Sequence, residues 1–201
     1  MADSVRKKGQ GKAGVKVFII GFILMGMIIG FYYYLSNIRE KANDENIETT
    51  AIQEALLYNF ERNYPPTPKE VVKLYGEMTQ CFYNEEYTEE EFVQLAKQIQ
   101  NLYDDELIAN KTEKQYIEDL RWDVNNMKKL EVNVSSYAVG ASTDVEYFNR
   151  NGFRCAKLYC SFTLRRGTQI ARNEEVFLLR RDDEGHWKIY GFKLVDKNSE
   201  T

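Results

Sequence analysis

Three periodicities divide the chain. From Val17 to Leu35 nineteen consecutive positions carry no charge and no polar stripe. Between residues 67 and 129 the apolar positions recur at helical spacing. Val71, Leu74, Tyr75, Met78 and Phe82 form one stripe, and Phe92, Leu95, Ala96, Ile99, Leu102 and Tyr103 a second. Ile117, Leu120, Val124 and Met127 form a narrower third, so each predicted helix has one apolar face. From Leu130 onward the period drops to two. Leu130, Val132 and Val134 alternate with polar residues, and Ala156, Leu158, Cys160, Phe162 and Leu164 share one face of a long strand.

Boundary signals agree with these periods. Thr67-Pro68-Lys69-Glu70, Thr88-Glu89-Glu90-Glu91 and Thr112-Glu113-Lys114-Gln115 each read as a capping box, with Pro68 at the first helical position. Asn151-Gly152, Arg166-Gly167 and Asp182–Gly185 mark turns between strands. In the last strand Trp187 and Ile189 have opposite parity to Phe192 and Leu194. Gly191 is therefore the expected site of a bulge. Helices followed by an antiparallel meander predict an α+β domain, with three or so helices on a curved sheet.

A helix over Val17–Leu35 would be about 28 Å long, close to the ~30 Å hydrocarbon thickness of a bilayer. The run exceeds an export signal's apolar core of about 7–15 residues and lacks a small-x-small site after it, so an uncleaved transmembrane anchor is expected. Gly26 and Gly30 have the spacing of a helix–helix contact that would pair two anchors into a homodimer. The basic residues Arg6, Lys7, Lys8, Lys12 and Lys16 precede the run, which puts the N-terminus in the cytoplasm and the C-terminal domain outside the cell membrane. The expected layout is a basic tail (1–16), the span (17–35), a stalk or linker (36–66) that includes a short helix around Ile47–Phe60, an extracytoplasmic α+β domain (67–196) and a disordered tail (197–201).

Charge and cysteine content narrow the function. Five of the 27 Lys and Arg fall in residues 1–16, against one of the 31 Asp and Glu, so the remainder holds 22 basic and 30 acidic residues. Such an acidic body argues against binding nucleic acid through its phosphates. Cys155 and Cys160 fall on opposite faces of one strand and Cys81 on a helix, which gives no disulfide framework.

No catalytic, cofactor or metal constellation emerges. His186, the sole histidine, stands at the start of a strand beside a turn, where solvent exposure is expected. The run from Glu85 to Glu91 lacks the spacing of a calcium loop, and three of its carboxylates fit a helix cap and first turn. Fourteen tyrosines leave one candidate feature: Tyr75, Tyr103, Tyr116, Tyr137, Tyr147 and Tyr159 as walls of a cavity, against the alternative of ordinary core and half-buried sheet positions.

The closing stretch "DDEGHWKIYGFKLVD" resembles the nuclear-transport-factor-2-like (cystatin-like) α+β cone. "YPPTPKEVVKLYGEMTQCFYNEEYTEEEF" and "SSYAVGASTDVEYFNRNGF" resemble an uncharacterised family of single-pass membrane proteins from clostridial Gram-positive bacteria. The resemblance implies a basic tail, one membrane helix and an exterior cone, and transfers no functional residue. Three readings follow. The first is a non-catalytic, membrane-anchored interaction or scaffold module with an envelope protein partner. The second is a small-ligand binder, or a cone-type lyase or isomerase, with a Tyr-lined cavity holding a buried carboxylate. The third is a dimeric structural component of the envelope.

Overall fold

The computed structural model describes residues 50–195. The tail 1–16, the span Val17–Leu35, the Gly26/Gly30 contact and the tail 197–201 lie outside the described residues. Among the described residues no helix is long and apolar enough to cross a membrane.

The elements in order are α1 (Ala51–Leu57), α2 (Phe60–Asn63), α3 (Pro68–Asn84), α4 (Glu89–Gln100), α5 (Asp105–Ala109) and α6 (Glu113–Lys129), followed by β1 (Asn133–Val139), β2 (Glu146–Arg150), β3 (Phe153–Arg166), β4 (Gln169–Arg181) and β5 (Trp187–Leu194). The fold is α+β, with helices on one face of a curved, open antiparallel sheet. Strand order is β1-β3-β4-β5, and β2 shares β3's outer edge with β1.

Side-chain caps start the predicted helices. Thr88 and Thr112 make complete capping boxes with Glu91 and Gln115. The box expected at Thr67 is half formed. Thr67 Oγ1 accepts from the Glu70 N–H, but the Glu70 carboxylate takes the Thr67 hydroxyl rather than a backbone donor.

Of the three short helices, α1 falls within the helix expected around Ile47–Phe60, while α2 and α5 lie outside the expected set. Residues 50–66, assigned to a stalk, are folded in place: Thr50 and Gln53 form another capping box, and Ile52 of α1 is buried in the core. Tyr64 then donates its hydroxyl to the Trp187 carbonyl at 3.0 Å, fastening this segment to β5. The third, α5, is capped by Asp104, whose side chain accepts from the Glu106 N–H.

The sheet begins later than the alternation suggests. Val132 N–H donates to the Met127 carbonyl and Glu131 takes φ 53°, so residues 130–132 close α6 and β1 starts at Asn133. Asn151 and Gly152, at φ 52° and 84°, form the two-residue turn between β2 and β3. Gly167, at φ 57°, opens the next turn and sets Arg166 opposite Gln169. The bulge falls where expected. Leu179 pairs with Ile189 but Leu178 with Gly191, which leaves Tyr190 as the extra residue. Past it, Phe192 reaches the helix side and stacks on Phe177 with ring centroids 5.4 Å apart.

Candidate functional site

The helix-facing side of β3 is apolar from Ala156 to Phe162, and cross-strand partners share that face. On β4 it carries Leu179 and Phe177 and then turns polar at Glu175 and Asn173, which pair with Cys160 and Phe162. Above these two residues α3 and α6 leave a cavity of about 500 Å³, within the range of small-molecule sites. Helical spacing supplies its walls: Tyr75, Thr79 and Tyr83 come from α3, and Tyr116, Leu120 and Asp123 from α6. Tyr103 enters from the link after α4, while Phe192 and Leu194, both partly exposed, border the sheet side.

Glu175 is the chemically unusual member. Its Oε2 is buried with no hydrogen-bond partner among the described residues, and desolvation holds its carboxyl above the usual carboxylate range. Tyr75 and Tyr103 are buried and their phenols are raised, first by burial; the charge of Glu175 is the next cause at Tyr75. Burial pushes Tyr116 up to about 12, and burial followed by Glu175 pushes the Cys160 thiol to about 12. The three phenols and the Cys160 thiol therefore stay protonated near neutral pH. Nearer solvent the polar groups are already paired: Tyr83 donates to Asp123 Oδ2 at 2.6 Å, and Lys111 meets Asp119 at 2.5 Å.

A raised carboxylate pKa fixes a sign. Between the unfolded and folded values, the native state holds a proton that the unfolded chain has released. Stability must therefore fall as pH rises from the ordinary carboxylate value through the raised one, then level off. Glu175→Gln, which cannot ionise, is expected to remove that part of the profile and to be the more stable protein above it. Urea midpoints at a series of pH values test this; parallel profiles for the two proteins would contradict it.

The structure gathers Tyr75, Tyr103 and Tyr116 around this cavity, with successive ring centroids 6.3 Å apart. It does not bring Tyr137, Tyr147 or Tyr159 there. Tyr137 lies beneath α3 at Gly76 and donates to Glu77 Oε1 at 3.1 Å. Tyr159 has the outward parity of β3 beside Lys157, and the exposed Tyr147 packs against Trp187. His186 is half-buried rather than solvent-facing: its ring lies 4.2 Å from that of Tyr64, and its backbone N–H donates to Asp182 Oδ1. In the acidic run, Glu91 accepts from the Thr88 N–H and Glu89 pairs with Arg121.

Sequence reasoning missed Glu175 and Asn173, although the Gly167 turn fixes their register with β3 and so their face. Comparison with known proteins adds little to this geometry. No curated protein matches the chain. Among solved structures it is similar to the NMR structure of TraH, a candidate transfer protein of the Gram-positive conjugative plasmid pIP501. The two are 12% identical with a TM-score of 0.37, over 67% of this chain and 98% of that one; nothing about this chain follows from so distant a likeness. A family model described as a domain of unknown function (DUF6715) matches residues 4–192. That span takes in nearly the whole chain, and the protein belongs to the DUF6715 family.

Proposed function

We propose that this protein is a membrane-anchored, extracytoplasmic binding module that takes a small ligand into the Tyr-lined cavity without transforming it. The observation that carries the reading is the buried Glu175 Oε2, without a hydrogen-bond partner among the described residues, beside a cavity walled by phenols. A buried polar atom of this kind is costly unless something satisfies it, and a ligand with a hydrogen-bond donor does so. The anchor at Val17–Leu35, with the N-terminus inside, and the nuclear-transport-factor-2-like cone rest on the sequence pattern and resemblance. Partly exposed rings of Phe148, Phe153 and Tyr190 at one end of the sheet favour a second role, in which the domain also meets an envelope protein.

A thermal-shift screen of the full chain against small polar metabolites tests the cavity reading. Stabilising compounds are expected, and Thr79→Trp, which sets an indole into the cavity wall, is expected to abolish their effect. Compounds that still stabilise a folded Thr79→Trp protein would place binding elsewhere and overturn the reading.

A further inference from the structure

The cavity's charge and surface narrow the ligand to one chemical class. Its titratable lining holds three carboxylates, Glu175, Asp119 and Asp123, against a single ammonium, that of Lys111. Lys111 is already paired with Asp119, and Asp123 is occupied by the Tyr83 hydroxyl. The carboxylate whose Oε2 has no partner among the described residues is Glu175, on the sheet side beneath the aromatic walls. An anionic ligand would bring like charge to a desolvated carboxylate, where repulsion is only weakly screened. A neutral ligand can satisfy Oε2 but leaves the charge uncompensated. An ammonium group does both, since its N–H groups donate to the carboxylate and its charge cancels the one that burial disfavours. The walls suit the same group, because tyrosine faces attract cations and the apolar flanks of Phe192 and Leu120 accept a hydrocarbon body.

We infer that the cavity binds an organic cation, a primary amine on a compact apolar body, with Glu175 as its counter-charge. This rests on the cavity reading above. Binding selects the ionised form of Glu175, so a proton held by the empty site leaves as the amine enters. The groups facing Glu175 do not share that titration: Tyr75 and Tyr83 from α3, Tyr103 from the link, Tyr116 from α6 and Cys160 from β3 are all raised by burial. The other charged groups of the lining are Asp119, which pairs with Lys111, and Asp123, which accepts from the Tyr83 hydroxyl. Affinity for the amine is therefore expected to fall as pH is lowered through the raised range of Glu175.

The test is calorimetric titration of the full chain in zwitterionic nanodiscs, with empty discs as blank. The two probes are 2-phenylethylammonium and its neutral counterpart 2-phenylethanol. The ammonium is expected to bind at least tenfold more tightly than the alcohol. Glu175→Gln is expected to remove that advantage by weakening ammonium binding far more than alcohol binding, since the amide still accepts a hydrogen bond but carries no charge. Loss of ammonium affinity at lower pH in the unaltered protein supports the same conclusion without a variant. Equal binding of both probes, indifferent to Glu175→Gln, would overturn the cation assignment and leave the cavity reading standing. Binding of neither probe, alongside screen compounds sensitive to Thr79→Trp, would do the same. No binding by the probes or by any screened compound would remove both.

Discussion

Replacing Arg180 by Ala lowers the unfolding free energy by about 3–5 kcal/mol, the range for breaking a buried ion pair from one side. Arg180 Nε and Nη2 donate to the two oxygens of Asp104 at 2.8 and 2.6 Å, a bidentate pair in which the Arg180 side chain is 16% exposed and that of Asp104 5%. The guanidinium lies between two rings, 4.3 Å from the centroid of Phe153 and 4.9 Å from that of Tyr190. Asp104 has other duties. Its side chain caps α5 through the Glu106 N–H, and its own N–H donates to the Ile189 carbonyl. Without Arg180 the carboxylate keeps its burial and loses its counter-charge. Ion pairs on open surface such as Lys73–Glu77 and Lys114–Glu118 contribute about 0–1 kcal/mol each, so Arg180 should stand apart in any scan of charged residues. The measurement is the urea midpoint at unchanged slope. The pair Arg180→Met with Asp104→Asn, which keeps a capping side chain and removes both charges, should lose less than Arg180→Ala alone. A loss below about 1 kcal/mol for Arg180→Ala would mean that water solvates Asp104 in its place.

That ion pair joins residues 76 positions apart, and this is the kind of feature that local pattern does not contain. The Asp104 half was visible as an acidic residue two positions before Glu106, a common helix start, but nothing near it in sequence names Arg180. By contrast, the features legible in the sequence were all encoded within a few residues. The caps at Thr88 and Thr112, the turns at Asn151-Gly152 and Gly167, and the bulge near Gly191 each follow from local chemistry. The capping box at Thr50 was equally legible. It sets the start of the helix expected around Ile47–Phe60 at Ala51, but with Ile52 alone buried in α1 no apolar period shows which face packs on the core.

The cavity shows where inference had to become non-local. Tyr159 follows the outward parity of a strand whose inward residues were already assigned, so alternation alone excludes it from the helix side. Tyr137 points inward opposite Phe162, yet Gly76 diverts it: a Cβ on Gly76 would lie 2.6 Å from the Tyr137 ring, so the missing side chain makes room for that ring under α3. Glu175 required two steps, the register imposed by the Gly167 turn and the face of β3. Even both steps place only the carboxylate. Whether space lies above it depends on how far α6 stands from the sheet, and no strand or helix period carries that distance.

Phe177→Ala is expected to lower stability by about 3–5 kcal/mol, the range for truncating a core aromatic. Phe177 is fully buried, opposite Leu158 on β3 and Phe192 on β5. It meets Tyr75 edge-on at 5.3 Å and stacks on Phe192, so its removal takes away transfer energy and two ring contacts together. Phe177 shares the helix-facing side of β4 with Glu175, two residues away, and this decides how the site relaxes. A void beneath Tyr75 adjoins a cavity that is already open to solvent, so neighbouring side chains gain little by collapsing into it. Phe177→Leu keeps most of the buried volume and should lose less than half as much. The two variants also bear on binding. Tyr75 loses its support in Phe177→Ala, so compounds whose stabilisation depends on the cavity should weaken there and persist in Phe177→Leu. Urea midpoints at constant slope and the thermal-shift hits read both effects on the same proteins. If Phe177→Ala costs no more than Phe177→Leu, water or a shifted Phe192 fills the space, and the floor beneath the tyrosines is softer than the packing of Phe177 implies.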